Sequence, residues 1–170
     1  MIIIKVRVCN SRNWVIVCDS GENAIKIFNR ETGEFLKEIN GNPDKSKPQQ
    51  EFTLHRPSAV LINDENDSEI FVKDDKEILV FNIDQKCTFI RKFGFKILRR
   101  PYGLAYNDNG NLVLVDADLR APYIYVFDKN SGQVLSAAPY QPALQSKAQA
   151  NTLYNRFSQD PCSPLGKIIN

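Results

Sequence analysis

The sequence predicts an all-β fold, because short apolar runs rich in β-branched and aromatic residues alternate with turn residues along most of the chain. The clearest stretch runs from Arg99 to Leu135, where Asn, Asp and Gly separate the runs PYGLAY, NLVLVD and YIYVFD, and QVLSAA follows. No window of this stretch keeps a helical period over three turns, so four antiparallel strands are predicted. Such a small sheet cannot bury its apolar faces alone and has to pack against another layer.

The composition indicates an ordinary globular chain without a membrane segment. It has 170 residues, of which 42% are hydrophobic and 25% charged, and these values favour one domain. A net charge of +2 is too small to indicate a nucleic-acid or membrane partner by itself. Lys5 and Arg7 interrupt the apolar start, so no signal peptide is predicted, and no run reaches the ~20 apolar residues of a membrane helix. We therefore expect a cytoplasmic protein that makes no contact with a membrane.

The four cysteines indicate neither a zinc site nor a disulfide framework. Cys9, Cys18, Cys87 and Cys162 are scattered, and no Cys-x-x-Cys pair occurs. Cys9 and Cys18 lie inside apolar runs, so we expect them to be buried free thiols, as suits a reducing compartment.

The first group of four strands is predicted over about residues 2–39. A turn over Cys9–Asn13 and the Ser-Gly-Glu-Asn and Arg-Glu-Thr-Gly turns separate its runs. Its predicted strands are 2–8, 14–19, 24–29 and 34–39. The polar residues from Gly41 to Gln50 are predicted to be an exposed connection.

The pattern then restarts twice. A second group is predicted over about 55–94, with runs at 56–64, 69–74, 77–82 and 88–94, and a third over about 99–137. Pro57 and Pro101 are 44 residues apart, and Phe81 and Phe127 are 46 apart. Residues 138–170 are predicted to form a loop or short helix and the start of a further repeat, because Pro164-x-Gly166 repeats the pattern of Pro101-x-Gly103.

A repeat of about 40–50 residues with four strands is typical of a β-propeller blade. The sequence therefore predicts one domain over residues 1–170, a partial (open) β-propeller of three to four four-stranded antiparallel blades. Phe28, Phe81 and Phe127 recur at one position per blade and are expected to fill the wedge between blades.

Three blades are fewer than the about four to eight of a complete propeller, so the end blades are expected to expose apolar faces and edges. Three interpretations stay open: a longer parent chain that completes the propeller, self-association with another copy, or capping by the ends of this chain. The first, a fragment or open arc, is favoured because Met1 starts directly inside a strand without a Pro-x-Gly opener.

Several motifs carry a resemblance to a known family. They are Pro101-Tyr-Gly-Leu-Ala105, the Asn109-Gly-Asn turn, Leu112-Val-Leu-Val-Asp116, Ile124-Tyr-Val-Phe-Asp128 and Phe89-Ile-Arg-Lys-Phe-Gly94. These pieces resemble the NHL-repeat family of β-propellers, most closely over 88–137 and less closely over 55–94 and 14–39. The resemblance implies a domain like those of tripartite-motif proteins, which are protein-binding or RNA-binding modules and usually look six-bladed.

A basic cluster without acids lies between Asp84 and Asp108, with aromatic residues interleaved. In a propeller, the connection after an outer strand lies on the same face as the loop between the second and third strands, so Arg120 and Tyr123 are expected to join this cluster. Such a surface could hold phosphates and stack bases, although a solvated surface is the simpler interpretation of a charge run. The candidate ligand or RNA surface consists of Arg91, Lys92, Lys96, Arg99, Arg100, Tyr102, Arg120 and Tyr123.

Acidic residues on the same predicted face dilute the positive field and favour a protein partner over RNA. They are Asp19, Glu22, Asp74, Asp75, Glu77, Asp116 and Asp118. Asp19, Asp74 and Asp116 follow the second strand of each blade, where they could form a carboxylate ring for calcium. Acceptance of backbone hydrogen bonds in turns is the favoured interpretation of these three.

The sequence gives no constellation for catalysis. His55 is the one histidine, so no zinc site and no Ser-His-Asp arrangement can be argued. We predict no catalytic, cofactor-binding or metal-binding residues and no cofactor. The predicted function is a non-catalytic protein-binding module, with RNA binding through residues 91–100 as the alternative and a metal-dependent hydrolase or lyase as a distant third.

Overall fold

The computed structural model describes residues 4–41, 52–63, 65–84 and 86–140. These residues form three four-stranded antiparallel sheets, and within each sheet the strands lie side by side in chain order. None of the described residues belongs to a helix long and apolar enough to cross a membrane. The predicted all-β fold of four-stranded blades is confirmed.

The strand bounds follow the predicted runs closely. Sheet 1 contains β1 (Ile4–Cys9), β2 (Trp14–Asp19), β3 (Ala24–Asn29) and β4 (Phe35–Asn40). Sheet 2 contains β5 (Pro57–Ile62), β6 (Glu69–Asp74), β7 (Glu77–Asn82) and β8 (Thr88–Phe93). Sheet 3 contains β9 (Pro101–Tyr106), β10 (Leu112–Asp116), β11 (Tyr123–Phe127) and β12 (Val134–Pro139).

Near its end, the chain differs from the prediction. β12 continues to Pro139, so residues 138 and 139 belong to a strand and not to the predicted loop. The predicted short helix and the start of a further blade fall in residues 141–170, which lie outside the described residues.

The chain divides into two compact units, the first ending at Leu98 and the second starting at Arg99. In the first unit, one face of sheet 1 packs against one face of sheet 2, because alternate residues of each strand are apolar and point the same way. The core formed there contains Ile16, Cys18, Ile25, Ile27, Ile39, Val60, Ile70, Val72, Leu79, Phe81 and Ile83. Phe81 lies against Phe52 and Phe89, with ring centroids 4.9 and 5.7 Å apart.

Polar contacts join the same two sheets outside this core. Lys37 Nζ donates to the carbonyl oxygens of Ile83 and Asp84 and also lies 4.3 Å from the centre of the Trp14 ring. Arg12 lies on the same ring at 5.0 Å and forms an ion pair with Asp84 at 2.7 Å. The Trp14 ring therefore holds both cations in place within sheet 1, and their hydrogen bonds and ion pair to Ile83 and Asp84 connect sheet 1 to sheet 2.

The second unit contains sheet 3, whose buried face carries Leu112, Leu114 and Phe127 at 0 to 1% exposure. The predicted turn between β9 and β10 is present. Asn107 Oδ1 accepts hydrogen bonds from the N–H groups of Asn109 and Asn111, and Gly110 has the positive φ of 72° that this turn requires.

The recurring phenylalanine is fully buried in two sheets and only half-buried in the third. Phe81 and Phe127 have 0% exposure, and Phe81 fills the space between sheets 1 and 2 as predicted. Phe28, at the equivalent position of sheet 1, instead lies on the face turned away from sheet 2. It packs edge to face on Phe35, with centroids 5.7 Å apart. Phe28 therefore does not fill the space between sheets 1 and 2, because sheet 1 uses its other face for that core, and its wedge-filling role stays a prediction.

The structure confirms the expected free thiols and gives a chemical prediction. Cys9, Cys18 and Cys87 are free, and Cys9 and Cys18 are buried. Burial raises the pKa of Cys18 to about 12. Because the thiolate is the nucleophile, we expect iodoacetamide at pH 8 to leave Cys18 unmodified in the native protein and to modify it in urea, as measured by peptide mass spectrometry. Modification of Cys18 at equal rates with and without urea would contradict its buried position.

Candidate binding surface

In sheets 2 and 3, a buried aspartate at the end of the second strand holds the residues that come just before the first strand. Asp74 is 0% exposed, and its two carboxylate oxygens accept hydrogen bonds from the N–H groups of His55 and Arg56 at 2.8 and 2.6 Å. Asp116 is 2% exposed and accepts from the N–H groups of Arg99 and Arg100 at 2.7 and 2.8 Å. Each aspartate therefore fixes the two residues that precede the proline opening the first strand.

The equivalent aspartate of sheet 1 makes a different set of contacts. Asp19 accepts from the N–H groups of Gly21 and Glu22 at 3.1 Å and from Lys26 Nζ at 2.8 Å. The hydrogen bond from Lys26 is the main cause that lowers the pKa of Asp19, whereas burial raises the pKa of Asp74 against two backbone hydrogen bonds. All three aspartates thus accept backbone hydrogen bonds, but only Asp19 does so within its own turn, as predicted. Asp74 and Asp116 instead accept from the residues just before the first strand of their sheets. No group of three or more potential metal ligands occurs among the described residues.

In the second unit, five of the predicted residues lie around the end of β10. Arg99 Nη1 pairs with Asp118 Oδ2 at 3.4 Å, and Asp118 Oδ1 accepts from the N–H of Arg120 at 3.0 Å. The latter hydrogen bond is the main cause that lowers the pKa of Asp118. The Arg100 guanidinium lies 5.7 Å from the centre of the Tyr102 ring.

Tyr123 completes this group. It pairs with Asp116 across the two strands, and its ring stacks on Tyr125 with centroids 5.7 Å apart. The second-unit cluster therefore contains Arg99, Arg100, Tyr102, Arg120 and Tyr123.

In the first unit, Lys92 and Lys96 line a groove of about 540 Å³ beside the loop that follows β8. The N–H groups of Ile97 and Leu98 both donate to the Gly94 carbonyl, and Gly94 has a φ of 89°, which favours glycine. Leu98 is 2% exposed and anchors the loop. The groove is lined by Thr53, His55, Asp75, Lys76, Glu77, Lys92, Phe93, Gly94, Phe95, Lys96 and Ile97.

This groove combines apolar surface with charges of both signs. Phe95 is 67% exposed and Ile97 is 40% exposed. Lys92 Nζ pairs with Glu77 Oε1 at 3.3 Å, whereas Glu77 Oε2 is buried without a hydrogen-bond partner in the described part of the chain.

Arg91 is placed apart from its neighbour in the predicted cluster. It is half-buried and lies opposite Val80, whereas Lys92 lies opposite Leu79. Successive residues of a strand point to opposite faces, so Arg91 and Lys92 belong to different faces of sheet 2. The structure brings Lys92 and Lys96 together in the first unit.

Thr53 and His55 in this groove were not predicted as site residues. Their contact is a hydrogen bond between Thr53 Oγ1 and His55 Nε2 at 3.0 Å. A signal was available in the repeat, because His55 precedes Pro57 by two residues just as Arg99 precedes Pro101. Aligning these positions would have placed His55 at the same edge of its blade as a predicted site residue.

Comparison with known proteins gives one curated relative and several solved structures. No family model matches the chain. The protein brain tumor of Drosophila melanogaster is 31% identical over 129 residues, which cover 74% of this chain and 11% of that protein. A hydrazine synthase of Kuenenia stuttgartiensis superposes with a TM-score of 0.64 at 15% identity, over 80% of this chain and 36% of its own. The Cps50 (Swd1) β-propeller domain of Myceliophteria thermophila gives 0.58 at 12% identity, over 81% and 41%.

Proposed function

We propose that this chain, an NHL-type β-propeller segment, is a non-catalytic module that binds another protein. The observation that carries the proposal is the groove beside Gly94–Leu98, where the exposed Phe95 and Ile97 lie among charges of both signs. An aromatic anchor surrounded by polar groups is typical of protein-recognition surfaces. We assign the docking of a peptide segment to this groove.

Carboxylate partners of the basic residues support a protein partner over RNA. Lys92 pairs with Glu77, and Arg99 pairs with Asp118. Phosphate binding requires cations that neutralise phosphates, and a net charge of +2 supplies little long-range attraction. A peptide that offers both apolar and charged side chains satisfies these pairs better than a polyanion does.

RNA binding is the second candidate, and one observation favours it. Phe95 offers a ring that is 67% exposed next to Lys96, and Arg100 covers the Tyr102 ring in the second unit. An exposed ring beside a cation can stack a base and hold its phosphate.

The absence of catalysis and the cytoplasmic location are part of the same proposal. His55, the one histidine of the chain, is hydrogen-bonded to Thr53. The buried thiols of Cys9 and Cys18 support a reducing compartment, for which we propose the cytoplasm. The hydrazine synthase neighbour shares the fold alone and supplies no catalytic residue to this chain.

To test the proposal, peptides that bind the full chain are selected from a random library, and their affinities are measured by isothermal titration calorimetry. We expect Phe95→Ala to weaken binding of a selected peptide at least about tenfold, because truncation of a central aromatic anchor costs about 1.4 kcal/mol or more. Leu119→Ala is the matched control, since Leu119 is 88% exposed and does not line the groove. Equal affinities of the Phe95→Ala and Leu119→Ala chains would contradict the groove as the docking site.

Two charge variants test the RNA candidate. The affinity of Lys96→Glu for a single-stranded RNA pool is measured by fluorescence anisotropy at two salt concentrations. Lys86→Glu, which has the same net charge, is the control. Binding of RNA but of no peptide would replace the protein proposal, with Lys96→Glu reducing the salt slope by about one and Lys86→Glu leaving it unchanged.

A further inference from the structure

The groove beside Gly94–Leu98 is lined by a buried glutamate, Glu77, which is 8% exposed. Its Oε1 pairs with Lys92 Nζ at 3.3 Å, whereas its Oε2 is buried and accepts no hydrogen bond from the residues that the structure describes. Nearly all buried polar side-chain atoms of folded proteins have a partner. An unpaired carboxylate oxygen at a groove therefore indicates a donor that binds there.

The backbone places Glu77 directly beside the exposed apolar residues of the groove. Ile78 pairs with Phe93 across β7 and β8, and a Cβ placed on Gly94 would lie 4.0 Å from the Cα of Glu77. Phe95, the next residue along the chain, is 67% exposed. The unpaired carboxylate oxygen and the exposed ring thus belong to neighbouring positions of one groove.

The donor that fits this position is a cation on an apolar stem. Hydrogen bonds from a cation to a carboxylate are about twice as strong as neutral ones, and burial strengthens them further. Arginine fits better than lysine, because its planar guanidinium is more weakly hydrated and can stack on an aromatic ring while it donates to a carboxylate. Its methylene stem can pack on the exposed side chains of Phe95 and Ile97.

The groove also carries a cation that competes for the same carboxylate. Lys92 Nζ lies 3.3 Å from Glu77 Oε1, and the Lys92 side chain is 47% exposed on a flexible stem. Asp75, Lys76 and Lys96 line the groove as well, but all three are exposed, so water screens their charges. A guanidinium that displaces Lys92 can bind both carboxylate oxygens at once.

We propose that the groove binds a protein segment through an arginine side chain, whose guanidinium donates to the Glu77 carboxylate and lies on the Phe95 ring. Lys92 holds this carboxylate in the free protein and releases it to the arginine on binding. The inference rests on the proposed docking of a peptide and names the side chain that the groove selects. An RNA phosphate does not meet this requirement, because it offers acceptors where Glu77 requires a donor.

Peptides selected from the random library on the full chain are expected to share an arginine. Each is synthesised with arginine and with citrulline, which has the same length but no charge, and both forms are measured by isothermal titration calorimetry. Citrulline should weaken binding to the wild-type chain at least about tenfold. On Glu77→Gln the two forms should bind within about twofold of each other, because the partner of the charge is gone. Glu31→Gln is the matched control, since it removes the same charge in an exposed turn of sheet 1 and should behave like the wild type.

Removal of the competing cation should have the opposite effect. Lys92→Gln is expected to bind the arginine peptides more tightly than the wild type does, because the Glu77 carboxylate is then left without Lys92. Lys86→Gln has the same net charge but does not line the groove, so its affinity should equal that of the wild type. Weaker binding of arginine peptides by Lys92→Gln than by Lys86→Gln would overturn the proposal.

The outcomes separate this inference from the proposed function on which it rests. Selected peptides without a shared arginine, or citrulline forms that bind the wild type as tightly as arginine forms, would overturn the inference. Loss of binding in Phe95→Ala would still support the groove as the docking site in that case, whereas unchanged binding in Phe95→Ala would contradict the docking site itself. Circular dichroism verifies that the variants fold, and the citrulline comparison on the wild-type chain decides the matter if Glu77→Gln does not.

Discussion

Replacing Asp74 by alanine is expected to lower the free energy of unfolding by about 2–5 kcal/mol, because each buried donor left without an acceptor costs about 1–3 kcal/mol. Asp74 is 0% exposed and accepts hydrogen bonds from the N–H groups of both His55 and Arg56. Urea unfolding followed by the fluorescence of Trp14, the one tryptophan of the chain, measures the loss.

Two further variants separate the hydrogen bonds from the charge. Asp74→Asn keeps one acceptor oxygen and should lose less stability than Asp74→Ala. Asp108→Ala is the control, because Asp108 is exposed in a turn and should unfold like the wild type. Equal unfolding free energies for Asp74→Ala and Asp108→Ala would show that the two backbone hydrogen bonds contribute nothing.

The pKa shifts of this aspartate position differ in sign between sheets 1 and 2. Burial raises the pKa of Asp74, so the part of its stability contribution that depends on protonation is present below the unfolded value of 3.8 and is lost as the pH rises through the folded value. The hydrogen bond from Lys26 lowers the pKa of Asp19, so its contribution is present above the unfolded value and is lost as the pH falls through the folded value. One strand position thus holds a desolvated backbone acceptor in sheet 2 and a partly buried ion pair in sheet 1.

The strands could be predicted from the sequence because alternation and turn residues act locally. The turn at Asn107–Asn111 and the runs of β10 and β11 agree with the observed bounds within one or two residues. The end of β12 was missed by two residues because Ala138 and Pro139 are exposed and show no alternation of apolar and polar side chains. An exposed outer strand is held by its backbone ladder, which leaves no mark in the side-chain pattern.

The candidate site could be predicted only in part, because its pairings depend on distant contacts. The basic run between Lys86 and Arg100 is visible in the sequence, but the pairs Lys92–Glu77 and Arg99–Asp118 join residues 15 and 19 positions apart. Strand alternation also separates Arg91 from Lys92, a consequence that follows only after β8 has been placed. Cation count alone therefore overstated the positive charge available to a ligand.

Phe81→Ala is expected to lower the free energy of unfolding by about 3–5 kcal/mol, the usual cost of removing a fully buried phenylalanine. Phe81 is 0% exposed and contacts the rings of Phe52 and Phe89. Phe127, which is also 0% exposed, should cost a similar amount when replaced by alanine. Urea unfolding at low protein concentration, followed by circular dichroism, measures both losses.

Phe28→Ala is the matched comparison, since Phe28 occupies the same strand position but lies half-buried on the face of sheet 1 turned away from sheet 2. Its loss should be about 1 kcal/mol, close to the value of one aromatic pair, because Phe28 is partly exposed and its aromatic contact is the edge-to-face one with Phe35. Losses as large for Phe28→Ala as for Phe81→Ala in a monomeric sample would contradict this difference in burial.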